Sequence, residues 1–110
     1  MSEKSQPSTL AIRQAEIADG AAMWRMVQDC TVLDKNSCYA YLLLCRDFSS
    51  TTLVATEGDK LLGFVAAYIP PPQPDTVFVW QIGTAPEARR RGIGKSLLQS
   101  LIEADGCRGV

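Results

Sequence analysis

Apolar and polar positions alternate between short strand-like runs and helical stripes along this chain. Leu10-Ala11-Ile12-Arg13 reads as a short first strand. Ala22, Met23, Met26, Val27 and Cys30 then recur at the spacing of one helix face, with Trp24 beside the stripe and Asp19 as N-cap. A polar turn from Val32 to Ser37 leads into a second helix, from about Ser37 to Arg46, capped by either Asn36 or Ser37. Thr51 to Thr56 and Leu61 to Ile69 are strands joined by a Gly58-Asp59 turn, which predicts an antiparallel hairpin. The segment from Pro70 to Asp75 is stiff and cannot continue a hydrogen-bonded ladder, so it is a loop. Val77 to Thr84 is a buried strand, and a third helix runs from about Gly92 through Ala104, with Gly106 as its C-cap. Cys107-Arg108-Gly109-Val110 can begin another strand. The order is β-α-α-β-β-β-α, with no internal repeat.

Between the last strand and the third helix stands Arg89-Arg90-Arg91-Gly92-Ile93-Gly94-Lys95-Ser96. The first turn of a helix offers unpaired N–H groups and the positive end of its dipole, a natural place for a phosphate. Glycine lets that backbone approach a ligand closely, and arginine adds charge-assisted donors. Gly94-Lys95-Ser96 suggests a P-loop, but G-x-x-x-x-G-K-[ST] requires glycine where Arg89 stands. The G-x-G-x-x-G pattern fails as well, because Leu97 occupies its third glycine position. Arg-x-x-Gly-x-Gly, at Arg89, Gly92 and Gly94, does fit. Residues alone also allow a plain basic turn that caps a surface helix.

Totals narrow the classes further. A chain of 110 residues holds one domain with a modest core. Net charge is −1, so no global basic field favours nucleic acid. No apolar run reaches the roughly 18 residues of a membrane helix, and Met1 to Thr9 is a polar, flexible leader rather than a secretory signal. Cys30, Cys38, Cys45 and Cys107 form no C-x-x-C pair, and histidine is absent, so no metal site is implied. Cys38 and Cys45 lie about 10 Å apart along one predicted helix, too far for a disulfide. All four cysteines read as reduced thiols of a cytoplasmic protein. The lack of histidine also removes the commonest general base.

The loop, with the strand and the Ala85-Pro86-Glu87-Ala88 turn before it, resembles the acyl-CoA pyrophosphate loop of the GNAT-type N-acetyltransferase superfamily. That resemblance implies an α/β (α+β) GNAT fold, a mixed, mostly antiparallel sheet flanked by helices. Residues 10–110 would form the N-terminal two-thirds of such a domain, behind a leader of residues 1–9. A fragment is the expected explanation. The remaining portion normally supplies the strand that splays from the one ending at Thr84, and often a tyrosine acid. By the same resemblance, acetyl-CoA is the co-substrate. The main chain of Ile82 and Thr84 would pair with its pantetheine arm, with Gly83 between them also at the cofactor, and Arg89, Arg90, Arg91, Gly92, Ile93, Gly94 and Lys95 would hold its pyrophosphate.

Two further stretches are similar to the L-2,4-diaminobutyrate acetyltransferases of ectoine biosynthesis. They are Leu33-Asp34-Lys35-Asn36-Ser37-Cys38-Tyr39-Ala40-Tyr41 and Phe78-Val79-Trp80-Gln81, with added likeness at Cys45-Arg46-Asp47-Phe48 and in the proline-rich loop. Gly83-Thr84 departs from the small aliphatic residues more usual there. The implied reaction moves acetyl to the γ-amine of the diamino acid, in a direct attack without an acetyl-enzyme, as part of osmoprotection. Homodimers are common in that family.

The residue chemistry is consistent with such a substrate. A diamino acid needs an anion for its idle ammonium, donors for its carboxylate, and aromatic walls. Asp34 can supply the anion; Asn36 and Ser37 can supply polar contacts; Tyr39, Tyr41 and Trp80 can supply walls. Plainer roles remain open for each. Asn36 and Ser37 can simply cap a helix, Tyr41 can be core, Asp34 can start a turn, and Trp80 can fill a sheet face. Asp34 is also the candidate base, with the alternative that the base lies beyond Val110. Other readings are a GNAT acting on a different small amine, a non-catalytic acyl-CoA-binding module, and, more remotely, a P-loop nucleotide binder.

Overall fold

The computed structural model describes residues 10–29 and 36–105. The leader, Cys30, Asp34, Gly106 and the Cys107–Val110 segment lie outside the described residues. The strands are β1 (Leu10–Gln14), β2 (Leu53–Glu57), β3 (Lys60–Tyr68) and β4 (Phe78–Thr84). They form one sheet in the order β1-β2-β3-β4, antiparallel at every pairing among the described residues. The helices are α1 (Asp19–Gln28), α2 (Cys38–Asp47) and α3 (Ile93–Asp105). The predicted element order is therefore the observed one.

Successive residues of β3 show which face each helix covers, because neighbouring side chains on a strand point opposite ways. The Phe64 ring meets Tyr41 of α2 edge-on, with centroids 6.2 Å apart. A Cβ on the preceding residue, Gly63, would lie 3.0 Å from Ile93 Cγ2 of α3. So α2 covers one face and α3 the other. Helix α1 lies with α2: a Cβ on Gly20 would come within 2.8 Å of Leu42 Cδ2, and Cys45 Sγ stands 3.4 Å from Met23 Sδ. Being covered on both faces, β3 is buried continuously from Leu62 to Ala67. This explains why it reads as an unbroken apolar run rather than an alternating one.

Local chemistry refines the element ends. Ser37, not Asn36, caps α2, its Oγ accepting from Ala40 N–H at 3.2 Å. Asp19 is the first helical residue rather than the cap of α1. Its carboxylate accepts from Glu16 N–H at 2.7 Å and pairs with Arg13 at 2.8 Å, tying the end of β1 to the start of α1. The expected strand at Thr51 begins only at Leu53. Ser49–Thr51 is a 3-10 turn instead, and Thr51 Oγ1 donates to the Ala67 carbonyl at 2.6 Å. The same hydroxyl also lies 3.3 Å from Phe48 O, three residues back, the kind of local bond that competes with a ladder.

Candidate active site

Among the described residues strand β4 is a sheet edge, and its register with β3 is interrupted. Ala66 faces Gln81 while Ala67 faces Val79, leaving Trp80 as an extra residue. Such a two-against-one bulge bends the strand and re-aims its side chains. Here it turns both Trp80 and Gln81 toward α2. The Trp80 ring lies 6.1 Å from that of Tyr41, and Tyr41 Oη donates to Gln81 Oε1 at 2.7 Å. Asn36 also hydrogen-bonds the Tyr41 side chain. Burial pushes the phenol pKa up, and the bond that Tyr41 Oη donates to Gln81 also needs the proton, so Tyr41 stays protonated.

The structure thus brings together Asn36, Tyr41 and Trp80 from the sequence reading and adds Gln81, which that reading left out. Strict alternation would have put Gln81 on the face opposite Trp80, and only the bulge brings them together. Tyr41 is core, with its ring against Phe64, and its hydroxyl lies in the polar cluster. Tyr39 stands apart. It is 66% exposed, about 200° around α2 from Tyr41. Ser37 is exposed and acts as a cap. Asp34 lies outside the described residues.

At its other end β4 presents main-chain groups to open space. Ala85 N–H donates to Leu62 O at 2.8 Å, so it points toward β3. Alternation along an antiparallel ladder then aims Gly83 the same way, and Ile82 and Thr84 outward to the free edge. Among the described residues no strand pairs on that edge. Their side chains lie under α3: a Cβ on Gly94 would sit 3.8 Å from Ile82 Cδ1 and 3.9 Å from Thr84 Oγ1.

A 3-10 turn at Pro86–Ala88 carries the chain from β4 to the basic loop. Arg89 is extended, Arg90 has φ 71° and Gly92 has φ 72°. The left-handed values wrap the backbone into a concave turn at the head of α3. Ser96 N–H bonds to Gly92 O at 3.0 Å, and the N–H groups of Ile93, Gly94 and Lys95 precede this first helical bond. A Cβ built on Gly92 meets nothing within 4 Å, so the cradle is open. The Ile93 side chain is buried against Gly63, which leaves only its main chain to face a ligand. Arg89, Arg90, Arg91 and Lys95 are all exposed, and Arg91 is bonded to Glu57 at 3.1 Å.

Two clefts flank these parts. One, of about 270 Å³, lies between the end of α1 and the end of β4, with Arg25, Asp29 and Glu87 in its wall. The other, of about 250 Å³, is apolar and lined by Leu43, Leu44, Phe48, Tyr68 and Trp80. No group of three or more metal-ligating side chains occurs among the described residues. Cys38 and Cys45 are free thiols, and burial pushes Cys45 up to about 11, so it is no nucleophile at neutral pH. Among the described residues no helix is long and apolar enough to cross a membrane.

Comparison with known proteins agrees with this geometry. The L-2,4-diaminobutyric acid acetyltransferase of Shouchella clausii is 43% identical over 105 residues, covering 96% of this chain and 58% of that protein. Its counterpart from Marinococcus halophilus is 48% identical over 94 residues, covering 86% of this chain and 54% of its own. Among solved structures, diaminobutyrate acetyltransferase EctA from Paenibacillus lautus, in complex with L-2,4-diaminobutyric acid and coenzyme A, superimposes with TM-score 0.85 at 36% identity. That match covers 90% of this chain and 60% of EctA. Ard1 from Thermoplasma volcanium, at 17% identity and TM-score 0.77, shares the fold. The chain thus spans little more than half the length of the relatives it matches. The acetyltransferase (GNAT) family matches residues 20–110, and the chain belongs to that family.

Proposed function

We propose that this chain carries the acetyl-CoA side, and part of the acceptor side, of an enzyme acetylating the γ-amine of L-2,4-diaminobutyrate. The product would be N4-acetyl-L-2,4-diaminobutyrate, on the route to ectoine. The observation that carries this reading is the layout of β4. One strand presents a bulge with an aromatic and amide cluster, an open edge at Ile82 and Thr84, and an open helix N-terminus. The named relatives support the choice of substrate.

Each part has a physical task. The outward main chain of Ile82 and Thr84 would pair with pantetheine as an added strand would. The head of α3 would take the pyrophosphate on its N–H groups, and the space over Gly92 fits that role. The bulge leaves main-chain groups off the ladder, where a donor can stabilise the oxyanion that develops at the thioester carbonyl. Once its ammonium has lost one proton, the amine nitrogen attacks that carbon, the C–S bond breaks, and a second proton from nitrogen passes to the departing sulfur to give CoA thiol. The first proton lost by nitrogen needs an acceptor. These 110 residues hold no histidine, so within them the candidate is a carboxylate acting directly or through water, the alternative being a base beyond Val110. Asp34 is our candidate for this role or for anchoring the idle ammonium, and Tyr41 and Trp80 wall off water. The family likeness extends the proposal to a cytoplasmic homodimer that serves osmoprotection.

The test is mass-spectrometric detection of product from this chain, acetyl-CoA and L-2,4-diaminobutyrate, with a panel of diamines differing by one methylene. Acetyl on the γ-nitrogen, strongest for diaminobutyrate, is the expected result. A preference for another diamine would overturn the substrate, and coenzyme A binding without turnover would overturn catalysis by this chain alone.

A further inference from the structure

The basic loop is fastened at both ends to the tip of the β2–β3 hairpin. Upstream, Lys60 Nζ donates to Glu87 Oε2 at 2.7 Å. Downstream, Arg91 Nη2 and Nη1 donate to Glu57 Oε2 and Oε1 at 3.1 and 3.4 Å. Glu57 and Lys60 are themselves cross-strand partners, on either side of the Gly58-Asp59 turn. The two ion pairs therefore bracket Ala88, Arg89 and Arg90. Within that bracket Arg90 holds φ 71°. A left-handed non-glycine residue persists only where its surroundings over-determine it.

We propose that Glu57 and Lys60 are positioning residues for the phosphate loop, and that Arg91 acts as a strut rather than as a phosphate ligand. The argument rests on the loop being the coenzyme A pyrophosphate site. The guanidinium of Arg91 is engaged by both oxygens of Glu57, in the forked geometry arginine favours. Meeting a phosphate would require it to let go. Held in place, it fixes the residue before Gly92, and so the direction in which the first N–H groups of α3 point. The Arg91 pair holds the Glu57 carboxyl below the ordinary range, and the Lys60 pair does the same for Glu87, so both pairs are charged at neutral pH.

The sign of one effect separates a strut from a ligand. If Arg91 bound phosphate, Glu57 would be a competing anion, and Glu57→Gln would leave coenzyme A binding unchanged or tighter. If Arg91 is a strut, Glu57→Gln weakens binding, by about two- to fivefold for pairs this exposed. The experiment is titration of coenzyme A into the full chain, with Glu57→Gln, Arg91→Gln and the double variant, each melted thermally to confirm folding. The strut predicts equal losses in the two single variants and little further loss in the double. Lys60→Gln should act the same way. It should raise the KM for acetyl-CoA while leaving the KM for the amine in place. Loss in Arg91→Gln alone, with Glu57→Gln unaffected or tighter, overturns the strut and leaves the loop reading standing. Failure of the unsubstituted chain to bind coenzyme A overturns the loop reading itself, and the strut with it.

Discussion

Tyr41 Oη donates to Gln81 Oε1 at 2.7 Å, joining α2 to the edge strand β4 across forty positions of sequence. The bond exists because Trp80 is an extra residue in its strand, which turns Gln81 toward the helix. Asn36 bonds the same phenol.

Tyr41→Phe should therefore cost about 1–2 kcal/mol of stability, since it strands two amide partners in a half-buried place. Tyr41→Phe combined with Gln81→Leu should cost less than the two losses added together. Urea denaturation of the three variants checks both statements, and additive losses would show that the bond carries no coupling.

Asp34→Asn and Trp80→Ala should lower turnover with diaminobutyrate at least tenfold while leaving coenzyme A affinity nearly unchanged, since our proposal assigns both to the acceptor side. Steady-state kinetics together with coenzyme A titration separate the two terms. Normal kinetics in Asp34→Asn would make Asp34 a turn residue and nothing more.

Gly92→Glu should abolish coenzyme A binding by placing bulk and negative charge in the cradle. Gly92→Ala meets no atom within 4 Å, so its cost is conformational, about 1 kcal/mol for φ in the left-handed region. Gly94→Ala makes only ordinary contacts with Ile82 and Thr84 and should stabilise α3, by up to about 1 kcal/mol. Gly63→Ala should destabilise, because its Cβ would press on Gly83 O and Ile93 Cγ2, both at 3.0 Å. Melting curves with and without coenzyme A distinguish these effects.

Stability should fall toward both pH extremes for separate reasons. Burial opposes ionisation of Asp19, but the Arg13 bond and the Glu16 N–H outweigh it and hold the carboxyl below its usual range. That contribution is present above the unfolded carboxylate pKa, near 4, and is lost as pH falls through the lower folded value. Cys45 runs the other way: burial raises its thiol to about 11. Its contribution is intact below the unfolded thiol pKa, about 8.5, and is lost as pH climbs toward the folded value. In Asp19→Asn the acid limb of a melting-temperature profile should flatten, and in Cys45→Ala the alkaline limb should. An unchanged limb in either variant refutes that assignment.

The element order, the hairpin at Gly58-Asp59 and a helix opening at about Gly92 were legible in the sequence because each rests on short-range chemistry. Period, turn residues and the two glycines of the basic loop are read along the chain. Ser37 as cap is of the same kind, a bond spanning three residues. The outward aim of Ile82 and Thr84 was expected from the family likeness, and it follows in the structure from strand alternation once the edge is known.

Gln81 was not legible, nor was the engagement of Arg91 by Glu57. Alternation along β4 predicts the wrong face for Gln81, because a bulge is a property of the pairing with β3 and not of β4 alone. The three arginines look equivalent in sequence. Only the return of the hairpin tip, thirty-four positions away, singles out Arg91. Sequence by itself determined the order of the local elements and that a glycine-bearing basic turn opens α3. Tertiary structure decided which side chains meet there, because register, edge position and charge pairing depend on segments that come together only when the sheet closes.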